Sequence, residues 1–334
     1  MWPLSSNVMS SASESMPRFF QLSVRPWGLL IAAGVVACGS TLLGFAGRYS
    51  WICDLFSHFR AQYALALIAI GFALLLTRHR RTAAVFAAVN VAAILPSYVS
   101  TRTRPPVPPT SPTFRVMLIN VNTNAGDPSR VAAVIRKHDP DILVLEEISS
   151  RWIRELPWLA EAYPHQCVEP RADNFGIGLY SKFPMRESKI AVIGEAGVPS
   201  VLATVSVGAR PLFVIATHPL PPGGAENSRL RNEQLERISE VIPRDASALL
   251  LGDLNTTPWN YHFRLLLNRS GLVDSSCGYW IQATWPNFAP LFRIPIDHCL
   301  HSSDVVTLHR RVCEYAGSDH YPLLLECALV SPDP

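Results

Sequence analysis

Hydrophobic and polar positions follow two different patterns along this chain, and the break falls near residue 100. Before it, three stretches carry no Asp, Glu, Lys or Arg: Trp27–Gly47 (21 residues), Ala61–Thr77 (17) and Thr82–Ser100 (19). A helix on the surface of a soluble domain shows a polar stripe at the helical period, and none of these stretches has one. A bilayer core of ~30 Å takes about 20 apolar residues per helix. The three stretches are therefore expected to be transmembrane helices at 27–47, 61–77 and 82–100. An interfacial third stretch is the alternative, because Asn90 and Pro96 lie inside it. A cleaved signal peptide fits the first stretch poorly, since 26 residues precede it and no clear small-residue cleavage site follows.

From Phe114 the pattern changes to short apolar runs broken by turn signals. Arg115–Val121 (RVMLINV), Asp141–Leu145 (DILVL), Gly176–Ser181, Val201–Val207, Pro211–Thr217, Ala248–Leu251, Pro295–Leu300 and Tyr321–Leu329 read as strands. Asp127 followed by Pro128 reads as the N-cap and first residue of a helix running to about Lys137. Asn227–Val241 reads as a second helix, with Arg229, Arg231 and Gln234 on a solvated face. Many strands with few helices between them predict two packed sheets with helices outside.

Residues 101–113 (TRTRPPVPPTSPT) hold five prolines, so this segment is extended, semi-rigid and unable to continue a helix. It is expected to be a linker between the membrane region at 27–100 and the domain at 114–330, holding that domain clear of the membrane. The tightest basic cluster, Arg78-His79-Arg80-Arg81, lies between the second and third stretches. By the positive-inside rule this turn faces the cytoplasm. The tail at 1–26 then also lies inside, and the domain after residue 113 lies outside the cell or inner membrane.

Composition sharpens this division. Charged residues make up only 16% of the chain, against about 25% in an ordinary soluble protein, and the deficit sits mostly in the first 100 residues. A net charge of +3 is too small to argue for nucleic acid. The seven cysteines include no CxxC pair, which leaves scattered thiols, or one or two disulfides in an oxidising compartment.

Candidate chemistry gathers at the ends of the predicted strands: Asn120, Glu146 and Glu147, His218, Asp253 and Asn255, Asp297 and His298, Asp319 and His320. Carboxylates directly after buried apolar runs are costly unless paired or bound to metal. Mg²⁺ prefers oxygen ligands and keeps several waters, and Glu147 with Asp319 or Asn120 suits such an ion. His320 is a candidate base, oriented by a carboxylate. Asn120, His218 and Asn255 are candidate donors to phosphate oxygens. This inventory suits metal-assisted attack of water on phosphorus.

The segments LINVNTN, PDILVLEEI, FGIGLYSKFP, VIATHPLPP, LLGDLNTTPW, IPIDH and GSDHYP, in that order, resemble the endonuclease/exonuclease/phosphatase superfamily from Phe114 to about Leu329. That family includes deoxyribonuclease I-like nucleases, neutral sphingomyelinases and inositol polyphosphate 5-phosphatases. The resemblance implies a four-layer α/β sandwich, with Mg²⁺ as cofactor and Mn²⁺ as the alternative. It implies a metal-binding role for Glu147, with Asn120 beside the metal, and a phosphate-contacting role for His218 and Asn255. It further implies that Asp253 and His320 jointly activate water. Asp319 looks like the carboxylate partner of His320, and Asp297 like a carboxylate near the metal or that histidine. Glu146 reads as an outer or surface charge, and His298 as part of a structural turn. Trp259 and Trp285 read as core or as a substrate platform, Asn122 and Asn124 as turn residues, with assistance to the metal site as the alternative for Asn122, and Asp173-Asn174 as lining the mouth.

The expected function is metal-dependent phosphoester hydrolysis at a membrane-proximal, extracytoplasmic site, on a lipid-linked or small phosphorylated substrate. The segments Pro219–Gly224 and Trp285–Phe292 are expected to form an apolar rim. A membrane-anchored nuclease is less favoured, because only Lys137, Lys182 and Lys189 follow the linker and the arginines are dispersed. No protein partner is inferable.

Overall fold

The alternation in RVMLIN builds the layers of the domain. Val116 and Leu118 point into one apolar cluster, Met117 and Ile119 into another, and all four are buried. In the computed structural model, which describes residues 25–98 and 106–330, four helices come first: α1 (Pro26–Phe45), α2 (Trp51–His58), α3 (Arg60–Leu75) and α4 (Arg80–Tyr98). The chain then runs through β1 (Thr113–Asn120), α5 (Pro128–His138), β2 (Ile142–Glu146), α6 (Ser150–Glu155), α7 (Leu159–Ala162), β3 (His165–Glu169), β4 (Ile177–Ser181), β5 (Met185–Val192) and β6 (Pro199–Val207). It continues through β7 (Arg210–Thr217), α8 (Ala225–Val241), β8 (Ala248–Asp253), α9 (Tyr261–Ser270), β9 (Val273–Asp274), a 3₁₀ turn at Pro290–Phe292, β10 (Asp297–His301), β11 (Val305–Val312) and β12 (Leu323–Leu329).

The strands form two six-stranded sheets, ordered β11-β12-β1-β2-β4-β3 and β5-β6-β7-β8-β10-β9. Only β1 with β2 and β7 with β8 run parallel; the other pairs are antiparallel. Val116, Leu118 and Val144 of one sheet meet Val214, Ala216 and Leu251 of the other in the central core. On the outer face of the first sheet, Val131 and Ile135 of α5 and Trp152 of α6 pack on Met117 and Ile119. On the outer face of the second, Leu235 and Ile238 of α8 and Phe263 and Leu266 of α9 pack on Ile215 and Leu250. The result is the four-layer α/β sandwich.

Helix α5 starts where the Asp-Pro signal places it. The Asp127 side chain accepts hydrogen bonds from the backbone N–H groups of Ser129 (2.9 Å) and Arg130 (3.3 Å). Asp127→Ala should lower stability by about 1 kcal/mol and leave turnover unchanged, as thermal unfolding and an activity assay would check; an unshifted melting temperature would remove the cap from the argument.

Helices α1, α3 and α4 meet through an apolar cluster and also present apolar side chains outward. Ala37, Leu67, Ile70, Leu74, Ala83 and Phe86 pack together between α1, α3 and α4, while Val36, Leu65, Ile68, Phe72 and Leu76 are exposed on the outer surface. Among the described residues, α1 alone is long and apolar enough to cross a membrane unaided; α2 and α3, bent by 61°, make a second candidate only as one unit. The tail at 1–24 and residues 99–105 of the third stretch and linker lie outside the described residues.

Residues 51–58, which lie between the first two apolar stretches, form helix α2. It packs directly against α8 and hydrogen-bonds to the segment before α9.

Candidate active site

One end of the sandwich collects the polar strand ends. Parallel pairing puts Asn120 of β1 opposite Glu146 of β2, and antiparallel pairing puts Asp253 of β8 opposite Asp297 of β10. His218 follows β7, and Asp319-His320 precede β12. Glu147, Asn122, Asn174 and Asn255 adopt left-handed backbone conformations, with φ of 59°, 57°, 68° and 48°. Non-glycine residues hold such angles only where the surroundings enforce them, which is common at functional sites.

Two connected groups result. In the first, Asn120 Nδ2 donates to Glu147 Oε1 (2.9 Å), Thr123 N donates to Glu147 Oε2 (3.3 Å), and Asn122 Nδ2 donates to Asp319 Oδ1 (2.8 Å). In the second, His320 Nδ1 donates to Asp297 Oδ2 (2.9 Å), and Asp253 Oδ2 lies 3.7 Å from His320 Nε2 and 3.6 Å from His218 Nε2. Asn255 caps the second group: its N–H donates to Asp253 Oδ1 (2.8 Å) and its Nδ2 to the Pro219 carbonyl (2.9 Å).

These contacts correct the assignment of Asp319. The partner of His320 is Asp297, whereas Asp319 accepts from Asn122 and from Trp285 Nε1 (3.0 Å). Trp285 therefore supports Asp319, while Trp259 is buried. Glu146 is not a surface charge: it is fully buried, and its carboxyl accepts from Asp253 N at 2.9 and 3.2 Å, bridging the two sheets. His298 faces away from the site, with Nε2 bonded to the Thr256 carbonyl (2.8 Å) and its ring 4.5 Å from that of Phe263. Phe175, next to Asn174, places its ring 5.4 Å from that of His218. Asp173 pairs with Arg171. The α8 residues Arg231 and Gln234, expected on a solvated face, are both fully buried, and Gln234 Nε2 donates to Thr217 Oγ1 (3.1 Å). Arg229 alone of the three is exposed, paired with Glu195 and Glu226.

Burial and mutual repulsion set the electrostatics. Burial, with the charges of Asp297 and Glu147, pushes the Asp253 carboxyl well above its ordinary range, against the pull of His320. Burial, with Asp253 beside it, does the same to Glu146. Burial raises Glu147 as well, opposed by its hydrogen bonds to Asn120 and Thr123 and reinforced by Asp319. Burial disfavours a charged His320, but Asp297, Asp253 and Asp319 outweigh it and hold the imidazole up to about 9. Burial and the His320 charge bring His218 down to about 4, so it is neutral near pH 7. Burial would raise Asp297, but His320, as charge and hydrogen-bond donor, holds it below the usual range.

Five acidic side chains thus converge on a site where His320 is the one imidazole held as a cation. This donor set fits a hard divalent cation. Ligand atoms of Asp253, Asp297 and His320 lie within 4.8 Å of one another. His320 Nδ1, however, is committed to Asp297 (2.9 Å). Glu147 and Asp319 would offer a cation further carboxylate oxygens, and the Asn120 amide oxygen, beside them, accepts from Asn122 N (3.1 Å). A cleft of about 750 Å³, lined by Trp259, Phe263, Leu267, Trp280, Ile281 and His298, lies on the α9 side and does not hold the reacting groups.

The family model for the endonuclease/exonuclease/phosphatase family matches residues 117–320. The chain belongs to this family. Membership carries the family's chemistry, hydrolysis of phosphoester bonds. A search of curated proteins gave no match. Among solved structures, the family member from Beutenbergia cavernae is similar over 66% of this chain and 72% of its own, at 21% identity and a TM-score of 0.52. A family protein from Bacteroides thetaiotaomicron is similar over 66% of this chain and 100% of its own, at 18% identity and a TM-score of 0.55. TDP2 of D. rerio, complexed with a single strand DNA product, is similar over 64% of this chain and 98% of its own, at 18% identity and a TM-score of 0.55. At these identities the likeness speaks to the fold, and the family member's own residues carry the argument about chemistry.

Proposed function

We propose that this family member is a membrane-anchored, Mg²⁺-dependent phosphoesterase, with Mn²⁺ as the alternative ion, acting outside the cytoplasm on a lipid-linked phosphate or a phospholipid headgroup. The observation that carries the reading is the joining of the apolar helical region to the rim of the site. Gln62 Nε2 of α3 donates to the Arg293 carbonyl (2.9 Å), directly after the 3₁₀ turn. Beside it Phe288, Leu291 and Phe292 are 77%, 83% and 60% exposed. The same segment reaches the site, since the Asn287 N–H donates to the Asp319 carbonyl (2.8 Å). Exposed apolar patches of this kind mark surfaces that meet a membrane or a partner. The contact of α2 with the catalytic half supports reading the two as lying on one side of the bilayer, with the Arg78–Arg81 turn on the other. Three spans satisfy this arrangement, with α3 and α4 as a hairpin.

In this reading Glu147, Asp319 and Asn120 would hold the cation, which would supply polarisation of a phosphoryl oxygen and offset the charge of the transition state. His218, neutral near pH 7, and Asn255 hold phosphate oxygens by hydrogen bonds. Asp297 fixes the ring of His320. Asp253, whose raised proton affinity suits a base, lies between His218 and His320 to orient and deprotonate the attacking water.

The test uses the full chain in detergent. Lipid phosphates in mixed micelles, p-nitrophenyl phosphodiesters and plasmid DNA are each offered with EDTA, Mg²⁺ or Mn²⁺. EDTA should abolish phosphate-ester cleavage, Mg²⁺ should restore it, and lipid phosphates should be preferred. Cleavage that persists in EDTA would remove the metal, and a preference for plasmid would favour the nuclease reading.

A further inference from the structure

We infer that helix α2 is part of the catalytic apparatus: Asp54 is a positioning residue that acts through Arg231 on the Asp253–Asn255 turn. The inference rests on the reading of Asn255 as a phosphate-holding group.

Arg231 and Asp54 are buried together, with side-chain exposures of 0% and 1%, and Arg231 Nη2 donates to Asp54 Oδ2 at 2.5 Å. The other arm of the same guanidinium, Nη1, donates to the Asn255 carbonyl (2.9 Å). An arginine fork is planar and rigid, so anchoring one arm fixes the direction of the other. Asn255 needs such an anchor. It holds a left-handed backbone at φ 48°, and its N–H and side-chain amide are already committed to Asp253 and Pro219. The Arg231 contact ties down its remaining backbone group.

Helix α2 grips the rest of this segment as well. Asn260 Nδ2 donates to Asp54 Oδ1 and lies 3.3 Å from Ser57 Oγ. The same Asn260 caps α9, its side chain accepting from His262 N (2.7 Å). Thr257 Oγ1 lies 3.4 Å from His58 Nδ1. Residues 255–260 are thus held from below by a helix that lies more than 170 residues earlier in the chain.

A buried ion pair is a poor device for stability alone, because the desolvation of both charges offsets their attraction. Mere attachment of a domain to its anchor needs no charge. Here the pair sits one guanidinium away from the backbone of a site residue. Helix α2 also continues into α3 through a 61° bend, so the seating of the helical region in its bilayer bears on the turn that holds the phosphate.

The test compares the full chain in one detergent as wild type, Asp54→Asn, Asn255→Ala and the double variant, with a soluble p-nitrophenyl phosphodiester. Asp54→Asn keeps the shape of the side chain and removes its charge. It should lower kcat/KM by about 10- to 10²-fold, the range for displaced site groups. In the Asn255→Ala background it should add less than about 2-fold, because coupled residues are non-additive. Arg231→Lys, which keeps the ion pair and loses the arm to Asn255, should show the same pattern. Arg210→Ala, which breaks the Arg210–Asp304 pair at 3.2 Å away from the turn, should lower the melting temperature without changing kcat/KM. Additive losses in the double variant, or wild-type kinetics in Arg231→Lys, would overturn the inference. A second readout needs no turnover: amide exchange across residues 253–260 should quicken in Asp54→Asn, and unchanged exchange there would also overturn it. A wild type that cleaves no phosphoester would remove the functional reading, and the exchange experiment would still decide the coupling.

Discussion

His320→Ala is expected to lower kcat/KM by about 10²- to 10⁴-fold, the range for loss of a general acid–base group. The side chain has two functions at once. Its Nδ1 is bound to Asp297 at 2.9 Å, and its Nε2 faces Asp253 at 3.7 Å. Removing it deletes the proton-carrying imidazole and leaves two buried carboxylates without their shared cation. Those carboxylates would respond by binding protons, so Asp253 would already carry a proton and could not take one from the attacking water. Asp297→Asn should cost less than His320→Ala, because the ring stays present but is no longer held by a charge. Combined with His320→Ala, it should add little, since residues acting as a unit are non-additive. The measurement is steady-state kinetics on the full chain with the preferred phosphoester. Independent losses for His320 and Asp297 would mean the dyad does not act as one group, and near-wild-type activity in His320→Ala would remove it from the chemistry.

What the sequence disclosed, and what it hid, follows from burial. The strands legible as apolar runs are central or covered. The overlooked ones, β3, β5, β9 and β11, are the four edges of the two sheets. An edge strand buries little and carries polar residues that discourage further pairing. The largely exposed MRESKIAV of β5 shows the effect, and its periodicity gives no signal. The polar strand-end residues were legible because carboxylates and amides directly after buried runs have few structural uses. Their pairing was not. Asp297 and Asp319 are equally acidic on paper, and only the placement of β10 beside β8 brings Asp297 to His320. Arg231 was misread for a related reason. In AENSRLRNEQLERISEV the arginines alternate with acids and amides, as on any solvated helix. The partner that buries Arg231, Asp54, lies in WICDLFSH between two apolar stretches. No local pattern links residues so far apart. A lone acid in an apolar neighbourhood was the available signal.

Gly252→Ala should be among the most damaging single-methyl changes in the domain, and it strikes the site itself. Gly252 lies in β8, immediately before Asp253 and beyond the last pair that joins β7 to β8, Ala216 with Leu251. A Cβ built there would overlap the Thr217 carbonyl oxygen and stand 3.0 Å from Glu146 Oε1. The obstacle is backbone, so no side chain can swing aside. Nor can Thr217 yield, because its hydroxyl is fixed by Ser200 (2.8 Å) and Gln234 (3.1 Å). Strands β7 and β8 would have to part at the end where His218 and Asp253 face each other at 3.6 Å. Overpacking a rigid core costs typically 1–3 kcal/mol and occasionally more, and this site belongs at or above the upper end, at about 3 kcal/mol. A domain of this size loses about 2–4 °C of melting temperature per kcal/mol, so a fall of about 6–12 °C is expected. Activity should fall even below the new melting temperature, because parting the strands moves Asp253 off the Glu146 carboxyl that receives its N–H. Gly39→Ala in α1, where a Cβ would meet nothing within 4 Å, supplies the contrast and should melt like the wild type. If Gly252→Ala melted within about 1 °C of wild type and kept its activity, the close approach of the two strands could not be what brings His218 and Asp253 together.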